Sequence, residues 1–254
     1  MQRSDCASTS AAPAGKLWLS NVSWFQHKLC FGFPRSALHH PNVVMFMGAC
    51  LKPPNVCLVL ELCEHGSLHQ FLRSEAEHHV KITMSLVYRF AVDIARGVKY
   101  LHNKQNIVQR DLKARNVLVD AALNAKVSDF GLSRVMQETG GDGNLTACGT
   151  PAWTAPEIVR MEAYTDKVDV YSFGIILWEL ITRQEPYGGK RGVQIAYAAA
   201  EQGTRPPIPS FIPESYSKLM QECWADKADD RPTFDDILTR LFAMKKEAGA
   251  ITKR

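Results

Sequence analysis

The sequence lacks cysteine pairs with metal-binding spacing, long hydrophobic runs and a strong excess of either charge. Its seven cysteines are an odd number and include no Cys-x-x-Cys pair, which favours free thiols in a reducing compartment over a disulfide-rich secreted domain. No hydrophobic run approaches the roughly 18 residues that a membrane-spanning helix needs. The N-terminal region also lacks the hydrophobic centre of a secretory signal. These absences predict a cytoplasmic chain without a membrane span.

The charge balance is close to neutral. Thirty Lys and Arg residues oppose 26 Asp and Glu residues, and the resulting net charge of +4 is too small to indicate nucleic-acid binding. Hydrophobic residues make up 46% of the chain and charged residues 22%, which are ordinary values for a globular protein. A chain of 254 residues is long enough for one large domain or two small lobes.

The first 35 residues differ in character from the rest. They show no clean hydrophobic period, contain no Glu, and carry only the lysines Lys16 and Lys28. They are rich in Ser and Ala, a composition that transit peptides share. We therefore expect an atypical segment over residues 1–35 that is a candidate for disorder, a folded domain over 36–244, and a basic tail over 245–254.

Within the domain, a few strands precede many helices, which predicts an α+β fold. Two hydrophobic runs, 43–49 and 56–61, flank Pro53-Pro54 and predict an antiparallel pair of strands. Ser67 predicts the N-cap of a short helix. Hydrophobic residues at helical spacing or in a long run predict four more helices, over residues 83–102, 168–182, 216–224 and 234–244.

The polar stretch from Gln109 to Asn116 carries the residues best suited to chemistry. Asp111, Lys113 and Asn116 lie within six positions, and Asp129 follows on a Gly-containing loop. Carboxylate and amide oxygens are ligands that Mg²⁺ prefers, and a lysine can offset charge on a moving phosphoryl group. This set predicts metal-assisted phosphoryl transfer, in which Asp111 orients a substrate hydroxyl and Asn116 and Asp129 hold Mg²⁺.

Five short motifs occur in the order of the protein-kinase signature set. They are Arg110-Asp111-Leu112-Lys113 with Asn116, Asp129-Phe130-Gly131, Ala155-Pro156-Glu157, Asp169 before an apolar helix, and Arg231-Pro232. The chain therefore resembles a protein kinase over about residues 36–244. The segments His40-Pro41-Asn42-Val43-Val44 and Phe46-Met47-Gly48-Ala49-Cys50 are similar to those of the tyrosine-kinase-like group, nearest the Raf-like and mixed-lineage kinases.

The resemblance implies a bilobal α+β fold with a truncated, mostly β N-lobe and a largely intact helical C-lobe. Residues 36–63 would be the N-lobe remnant and hinge, and residues 64–244 the C-lobe. Glu61 and Cys63 would bind ATP through backbone groups at the hinge, with Leu118 beneath the adenine. The remaining roles implied are Asp111 as catalytic base, Asn116 and Asp129 as Mg²⁺ ligands, Glu157 and Arg231 as a buried structural pair, and Asp169 as a brace for the catalytic loop.

The motifs also bear on substrate and control. Lys113 and Thr150 resemble the serine/threonine kinase pattern, in which the threonine hydroxyl ties the lysine to the catalytic aspartate. The segments 114–116 and 153–157 instead resemble tyrosine kinases, and this mixture is typical of the tyrosine-kinase-like group, which mostly phosphorylates Ser and Thr. The implied partners are ATP and protein substrates. Arg110 suggests control by a phosphate on the following loop, with Thr139 and Thr146 as candidate acceptors and Thr150 in the same regulatory region.

The resemblance is incomplete at the N-terminus. No Gly-x-Gly-x-x-Gly string and no Val-Ala-Ile-Lys strand precede His40, and Gln109 stands where the family has histidine. A glutamine there keeps a hydrogen bond but loses the imidazole ring. Three hypotheses follow: an active serine/threonine kinase, a pseudokinase that acts as a binding or regulatory module, and a fragment or incorrect gene model of an active kinase.

Overall fold

A computed structural model describes residues 38–50, 52, 57–74, 80–129, 134–135, 150–189 and 192–251. The chain divides into two compact units. The smaller unit contains the described residues between Met45 and Leu62, and the larger unit contains Leu38–Val44 and the chain from Cys63 onward. The expectation for residues 1–35 lies outside the described residues.

The smaller unit contains the antiparallel strand pair that the sequence predicts. Strand β1 spans Phe46–Cys50 and β2 spans Cys57–Leu60. The register shifts between Phe46 and Gly48, which leaves Met47 as an extra residue in β1. Beyond this bulge the strands pair one residue to one residue, ending with Cys50 opposite Cys57.

The strand predicted over residues 43–49 begins too early, because β1 starts only at Phe46. Val43 and Val44 belong to the larger unit, where both are buried and the amide of Val44 donates to the carbonyl of Val127 at 2.9 Å. Gly97 permits this path, because a Cβ atom at that position would lie 2.4 Å from the carbonyl oxygen of Asn42. The segment therefore packs against a helix before β1 begins, a constraint that no local pattern reveals.

The larger unit is mainly helical. Its helices are α1 Leu68–Arg73, α2 Met84–Gln105, α3 Pro156–Val159, α4 Lys167–Thr182, α5 Val193–Glu201, α6 Glu214–Cys223 and α7 Phe234–Ile251. Its short strands are β3 Ile107–Val108, β4 Val117–Val119, β5 Ala125–Val127 and β6 Arg134–Val135. β4 pairs antiparallel with β5, and β3 pairs antiparallel with β6.

The predicted helices are confirmed with small shifts at their ends. Ser67 caps α1 by accepting from the amide of Gln70, and Thr83 caps α2 by accepting from the amide of Leu86. The last helix continues to Ile251, so it extends into the basic segment 245–254. The mixed α+β fold that the sequence predicts is thus present.

Helix α4 forms the centre of the larger unit. Every residue from Val168 to Ile181 is buried, and a helix that is apolar on nearly all sides is one that a core surrounds. Two acidic residues on this helix, Asp169 and Glu179, are therefore also buried, and both contact the candidate site. Among the described residues, none of the helices is both long and hydrophobic enough to cross a membrane.

Candidate active site

The site is built around the Asp111 carboxylate, on the loop between β3 and β4. Its Oδ2 accepts hydrogen bonds from Lys113 Nζ at 2.6 Å and from Asn116 Nδ2 at 2.9 Å. Its Oδ1 accepts from the hydroxyl of Thr150 at 3.0 Å, and that hydroxyl accepts from Lys113 Nζ at 2.6 Å. The structure thus brings together Asp111, Lys113, Asn116 and Thr150, including the threonine contact that the sequence predicts.

Asp169, at the start of α4, holds the loop from below. Its side chain is fully buried, and its two oxygens accept from the backbone amides of Gln109 at 2.8 Å and Arg110 at 2.9 Å. His102 Nε2 lies 2.7 Å from the same carboxylate. Arg110 has φ of 67°, a conformation that costs free energy outside glycine and needs such support. Sequence reasoning did not identify His102 as a partner of Asp169. The only indication in the sequence is that this histidine lies on the buried side of α2.

Gln109 links the loop of Asp111 to the loop of Asp129. Its side-chain amide nitrogen donates to the carbonyl oxygens of Ser128 at 3.3 Å and Asp129 at 3.0 Å. Its amide oxygen accepts from the backbone amide of Asp111 at 2.7 Å. The side chain is fully buried, so this glutamine retains hydrogen bonding through both ends of its amide.

The side-chain oxygens of Asn116 and Asp129 are of the type that binds magnesium. The side-chain amide nitrogen of Asn116 donates hydrogen bonds to Asp111, so its amide oxygen is the atom that could bind a metal ion. The backbone oxygen of Asn116 accepts from both the amide and the hydroxyl of Ser128, at 2.8 and 2.9 Å, which holds the residue before Asp129 beside Asn116. Asp129 itself is exposed. Mg²⁺ in proteins is commonly bound by only one or two protein oxygens, such as one carboxylate and one amide oxygen. Water and phosphate oxygens then complete its coordination shell.

The described residues contain no cluster of three or more His, Cys, Asp or Glu side chains with metal-binding geometry. A dedicated protein cage, such as a structural zinc site, is therefore not found in that part of the chain.

The predicted nucleotide-binding residues are distributed over both units. Glu61 lies in the smaller unit, where its amide donates to the carbonyl of Met45 at 3.0 Å and its carboxylate accepts from the amide of Met45 at 2.6 Å. Cys63 lies in the larger unit, is buried, and accepts from the amide of Gly66 at 3.0 Å. Leu118 is half-buried in β4 of the same unit.

The predicted regulatory arginine packs on an aromatic ring. The guanidinium of Arg110 lies 5.3 Å from the ring centroid of Tyr164, within the range of a cation–π contact. Thr139 and Thr146, the candidate phosphorylation sites, lie outside the described residues.

The predicted structural pair of Glu157 and Arg231 is present and buried. Two parallel hydrogen bonds of 2.7 and 2.8 Å join the guanidinium to the carboxylate. Arg231 also donates to the backbone oxygens of Ala225, Asp226 and Lys167. All of these acceptors would lose a charged donor if the guanidinium were removed.

Glu179 is a further buried carboxylate, and sequence reasoning did not assign it to the site. Its Oε2 accepts from Trp153 Nε1 at 2.8 Å, and Arg73 approaches its Oε1 at 3.5 Å. Trp153 ends the short turn Pro151–Trp153, which directly follows Thr150. Glu179 thereby anchors the turn next to the Thr150 hydroxyl. The signal in the sequence is an acidic residue inside an otherwise apolar helix.

Burial raises the pKa of Glu179 to about 7, although hydrogen bonds from Trp153 and Ala114 and the charge of Arg73 act in the opposite direction. Between about pH 4.5 and pH 7 the Glu179 carboxyl group therefore holds its proton in the folded protein and loses it in the unfolded chain. Stability should fall as the pH rises through this interval and level off above it.

Replacing Glu179 by glutamine should remove most of this pH dependence. Glutamine keeps an acceptor oxygen for Trp153 but does not titrate, so the loss of about 2–3 kcal/mol between pH 5 and pH 8 should be absent from Glu179→Gln. Urea unfolding of both proteins at the two pH values measures the difference. An equal loss in the variant would mean that other groups cause the pH dependence.

Comparison with known proteins places these residues in a wider context. Residues 35–241 match the family described as protein tyrosine and serine/threonine kinase. The chain is 45% identical over 205 residues to the probable serine/threonine-protein kinase drkA of Dictyostelium discoideum, a match that covers 80% of this chain and 31% of that protein. It is also 45% identical over 205 residues to drkB of the same organism, covering 80% of this chain and 29% of that protein.

A viral relative shows a similar match. The putative serine/threonine-protein kinase/receptor R818 of Acanthamoeba polyphaga mimivirus is 42% identical over 207 residues, which are 81% of this chain and 12% of that protein. The chain thus spans less than a third of the length of these curated relatives.

Proposed function

The chain belongs to the protein tyrosine and serine/threonine kinase family, and on that basis we propose that it transfers the γ-phosphoryl group of ATP to serine and threonine hydroxyls of protein substrates. The observation that carries this proposal is the arrangement at Asp111. A carboxylate, a lysine and a threonine hydroxyl are joined by hydrogen bonds of 2.6–3.0 Å, with the Asn116 amide beside them.

In this proposal Asp111 is the catalytic base. It orients the substrate hydroxyl and accepts its proton as the new bond to phosphorus forms. The ammonium group of Lys113 contacts the Asp111 carboxylate and would lie next to the transferred group, where it offsets developing negative charge. Thr150 fixes the relative position of these two side chains through its hydroxyl.

Asn116 and Asp129 would hold Mg²⁺ through their side-chain oxygens. Bound Mg²⁺ would neutralise charge on the phosphate oxygens during transfer. The Gln109 amide supports this assignment, because it ties the backbone of Asp129 to the backbone of Asp111. Glu61 and Cys63 would contact the adenine through backbone groups, and Leu118 would lie against its face.

The preference for serine and threonine is supported by two features. Thr150 and Lys113 make the contact implied by the serine/threonine kinase pattern, and the relatives drkA and drkB are named probable serine/threonine-protein kinases. The segment 40–50 further supports placement in the tyrosine-kinase-like group.

We also propose that the guanidinium of Arg110 binds a phosphate group carried by Thr139 or Thr146. The free-thiol pattern of the cysteines supports a cytoplasmic location.

A thermal melt with and without Mg²⁺-ATP tests this assignment. A ligand at 100 times its dissociation constant stabilises a protein by about 2.7 kcal/mol, which corresponds to roughly 5–11 °C for a chain of this size. We expect this Mg²⁺-dependent shift for the unmodified chain and its loss in Asp129→Asn. The control Asp229→Asn, which makes the same chemical change at an exposed residue, should retain the shift.

Transfer itself is measured with radiolabelled ATP and peptides that carry serine, threonine or tyrosine as acceptor. The proposal expects label on serine and threonine peptides, and none from Asp129→Asn. Label confined to tyrosine would overturn the assigned specificity.

One sequence feature favours a second candidate, a pseudokinase that binds partners without transfer. No Gly-x-Gly-x-x-Gly string precedes His40 in this chain, and that string normally covers the phosphates in kinases. A cooperative melt with no Mg²⁺-ATP shift and no label on any peptide would support the binding module over the enzyme.

A further inference from the structure

The hairpin of β1 and β2 places two cysteines directly opposite one another. Cys50 is the last residue of β1 and Cys57 the first residue of β2, and they are Cα partners in the antiparallel register. Directly opposite residues in such a pair have Cα atoms about 4.5–5.5 Å apart. A disulfide needs a Cα separation of about 4.4–6.8 Å, so the backbone spacing already suits a cross-strand bond.

The two side chains also share one face of the hairpin. Opposite residues in an antiparallel pair point to the same side, and successive residues alternate. Leu58 and Ala49, the next pair along, therefore occupy the other face, where Leu58 is buried. Cys50 is exposed and Cys57 is partly exposed, and both are free thiols. The cysteine face is thus open to an oxidant.

The local packing leaves room for the bond. The next pair on the cysteine face is Gly48 opposite Val59, and a Cβ atom added at Gly48 would meet no heavy atom within 4 Å. The register bulge at Met47 lies on the far side of this pair, so the pairing between Gly48 and Cys50 is regular. Small adjustments of the strand ends can therefore bring the two sulfur atoms together.

From this geometry we propose that Cys50 and Cys57 form a reversible redox site that peroxide closes into an intramolecular disulfide. The Cys50 thiolate attacks an oxygen of hydrogen peroxide, which gives a sulfenic acid and releases water after proton transfer. The Cys57 thiolate then attacks that sulfur and expels the oxygen as a second water. Two thiols lose two electrons and two hydrogen atoms in total, and one peroxide is reduced to two waters.

The bond would restrain the strand that leads into Glu61. β2 runs from Cys57 to Leu60 and is followed directly by Glu61. Closing a loop of about eight residues removes chain entropy from the opened hairpin, so amide exchange in β1 and β2 should slow by up to about 50-fold. The site does not depend on phosphoryl transfer and can be tested separately from it.

The test uses the full chain treated with hydrogen peroxide, then alkylated under denaturing conditions, digested with trypsin and weighed. The Lys52-Pro53 bond resists trypsin, so both cysteines remain in one fragment that also contains Cys63. We expect this fragment to lose two hydrogen atoms and to carry alkyl only on Cys63. Dithiothreitol should restore alkylation of Cys50 and Cys57.

Variants identify the partners and provide the control. Cys50→Ser and Cys57→Ser should each abolish the mass loss, whereas Cys6→Ser removes a thiol 44 positions before Cys50 in the sequence and should leave it unchanged. Oxidation of Cys50 to sulfinic acid with Cys57 still alkylated would overturn the proposal. So would a bond from Cys57 to any other cysteine, or a linkage found only between two chains. Because the mass is measured first on the unmodified chain, the result does not depend on the folding of a variant.

Discussion

Asp111→Asn is expected to lower the rate of phosphoryl transfer by about 10²–10⁴-fold, the usual contribution of a positioned general base. Asparagine is nearly the same size but cannot accept the substrate proton. Its amide nitrogen would also replace an oxygen that now accepts hydrogen bonds, either from Lys113 and Asn116 or from Thr150. The base and the geometry of its neighbours are therefore both affected.

Steady-state kinetics with a serine peptide separates the two effects. Loss of the base should lower kcat with little change in the KM for ATP, because Asp111 is proposed to act on the hydroxyl rather than on the nucleotide. The Mg²⁺-ATP melting shift should remain. A variant with unchanged kcat would remove Asp111 from the mechanism, and a lost melting shift would reassign it to nucleotide binding.

Arg231→Met is expected to destabilise the fold by about 3–5 kcal/mol, since it leaves the buried Glu157 carboxylate without its partner. The side chain of Arg231 is fully buried and that of Glu157 is 8% exposed. Three backbone carbonyl oxygens lose a donor as well. For a chain of this size the melting temperature should fall by roughly 6–20 °C.

A matched arginine shows whether burial is the cause. Arg240 pairs with Glu222 in a contact whose two side chains are 30% and 35% exposed, and Arg240→Met should cost about 1 kcal/mol or less. Denaturant unfolding of both variants gives the comparison. Equal losses would show that the carboxylate of Glu157 gains solvent or a proton when its partner is removed, and that the pair is not a major source of stability.

Among the described residues of the larger unit, local patterns predicted the helices α1, α2, α4, α6 and α7, but not α3, α5 or the short strands β3 to β6. Helix α2 could be predicted because its hydrophobic residues repeat at helical spacing and Thr83 caps it. Helix α4 could be predicted from its length and apolar composition alone. The start of β1 at Phe46 rather than at Val43 was not accessible, because the preceding segment is held by a close approach of Asn42 to Gly97, which lies 55 positions later. The local sequence shows the hydrophobic period of a helix and its capping residues. It does not show how closely two helices or strands can approach each other.

The candidate site divides in the same way. Asp111, Lys113 and Asn116 are close in sequence, so their proximity follows from one short loop. His102 meets Asp169 across 67 positions and Trp153 meets Glu179 across 26 positions. These contacts depend on how the helices pack, and a single sequence offers only the presence of buried polar residues as a hint.

Gln109 joins the loops of Asp111 and Asp129 through hydrogen bonds that do not depend on pH, unlike those of a histidine. An imidazole there would gain or lose a proton near neutral pH, and its role as donor or acceptor would change with it. The Gln109 amide has one fixed donor end on the carbonyls of Ser128 and Asp129, and one fixed acceptor end on the amide of Asp111. Acidification of the surroundings therefore leaves these hydrogen bonds intact, and the loop of Asp129 keeps its position relative to the loop of Asp111.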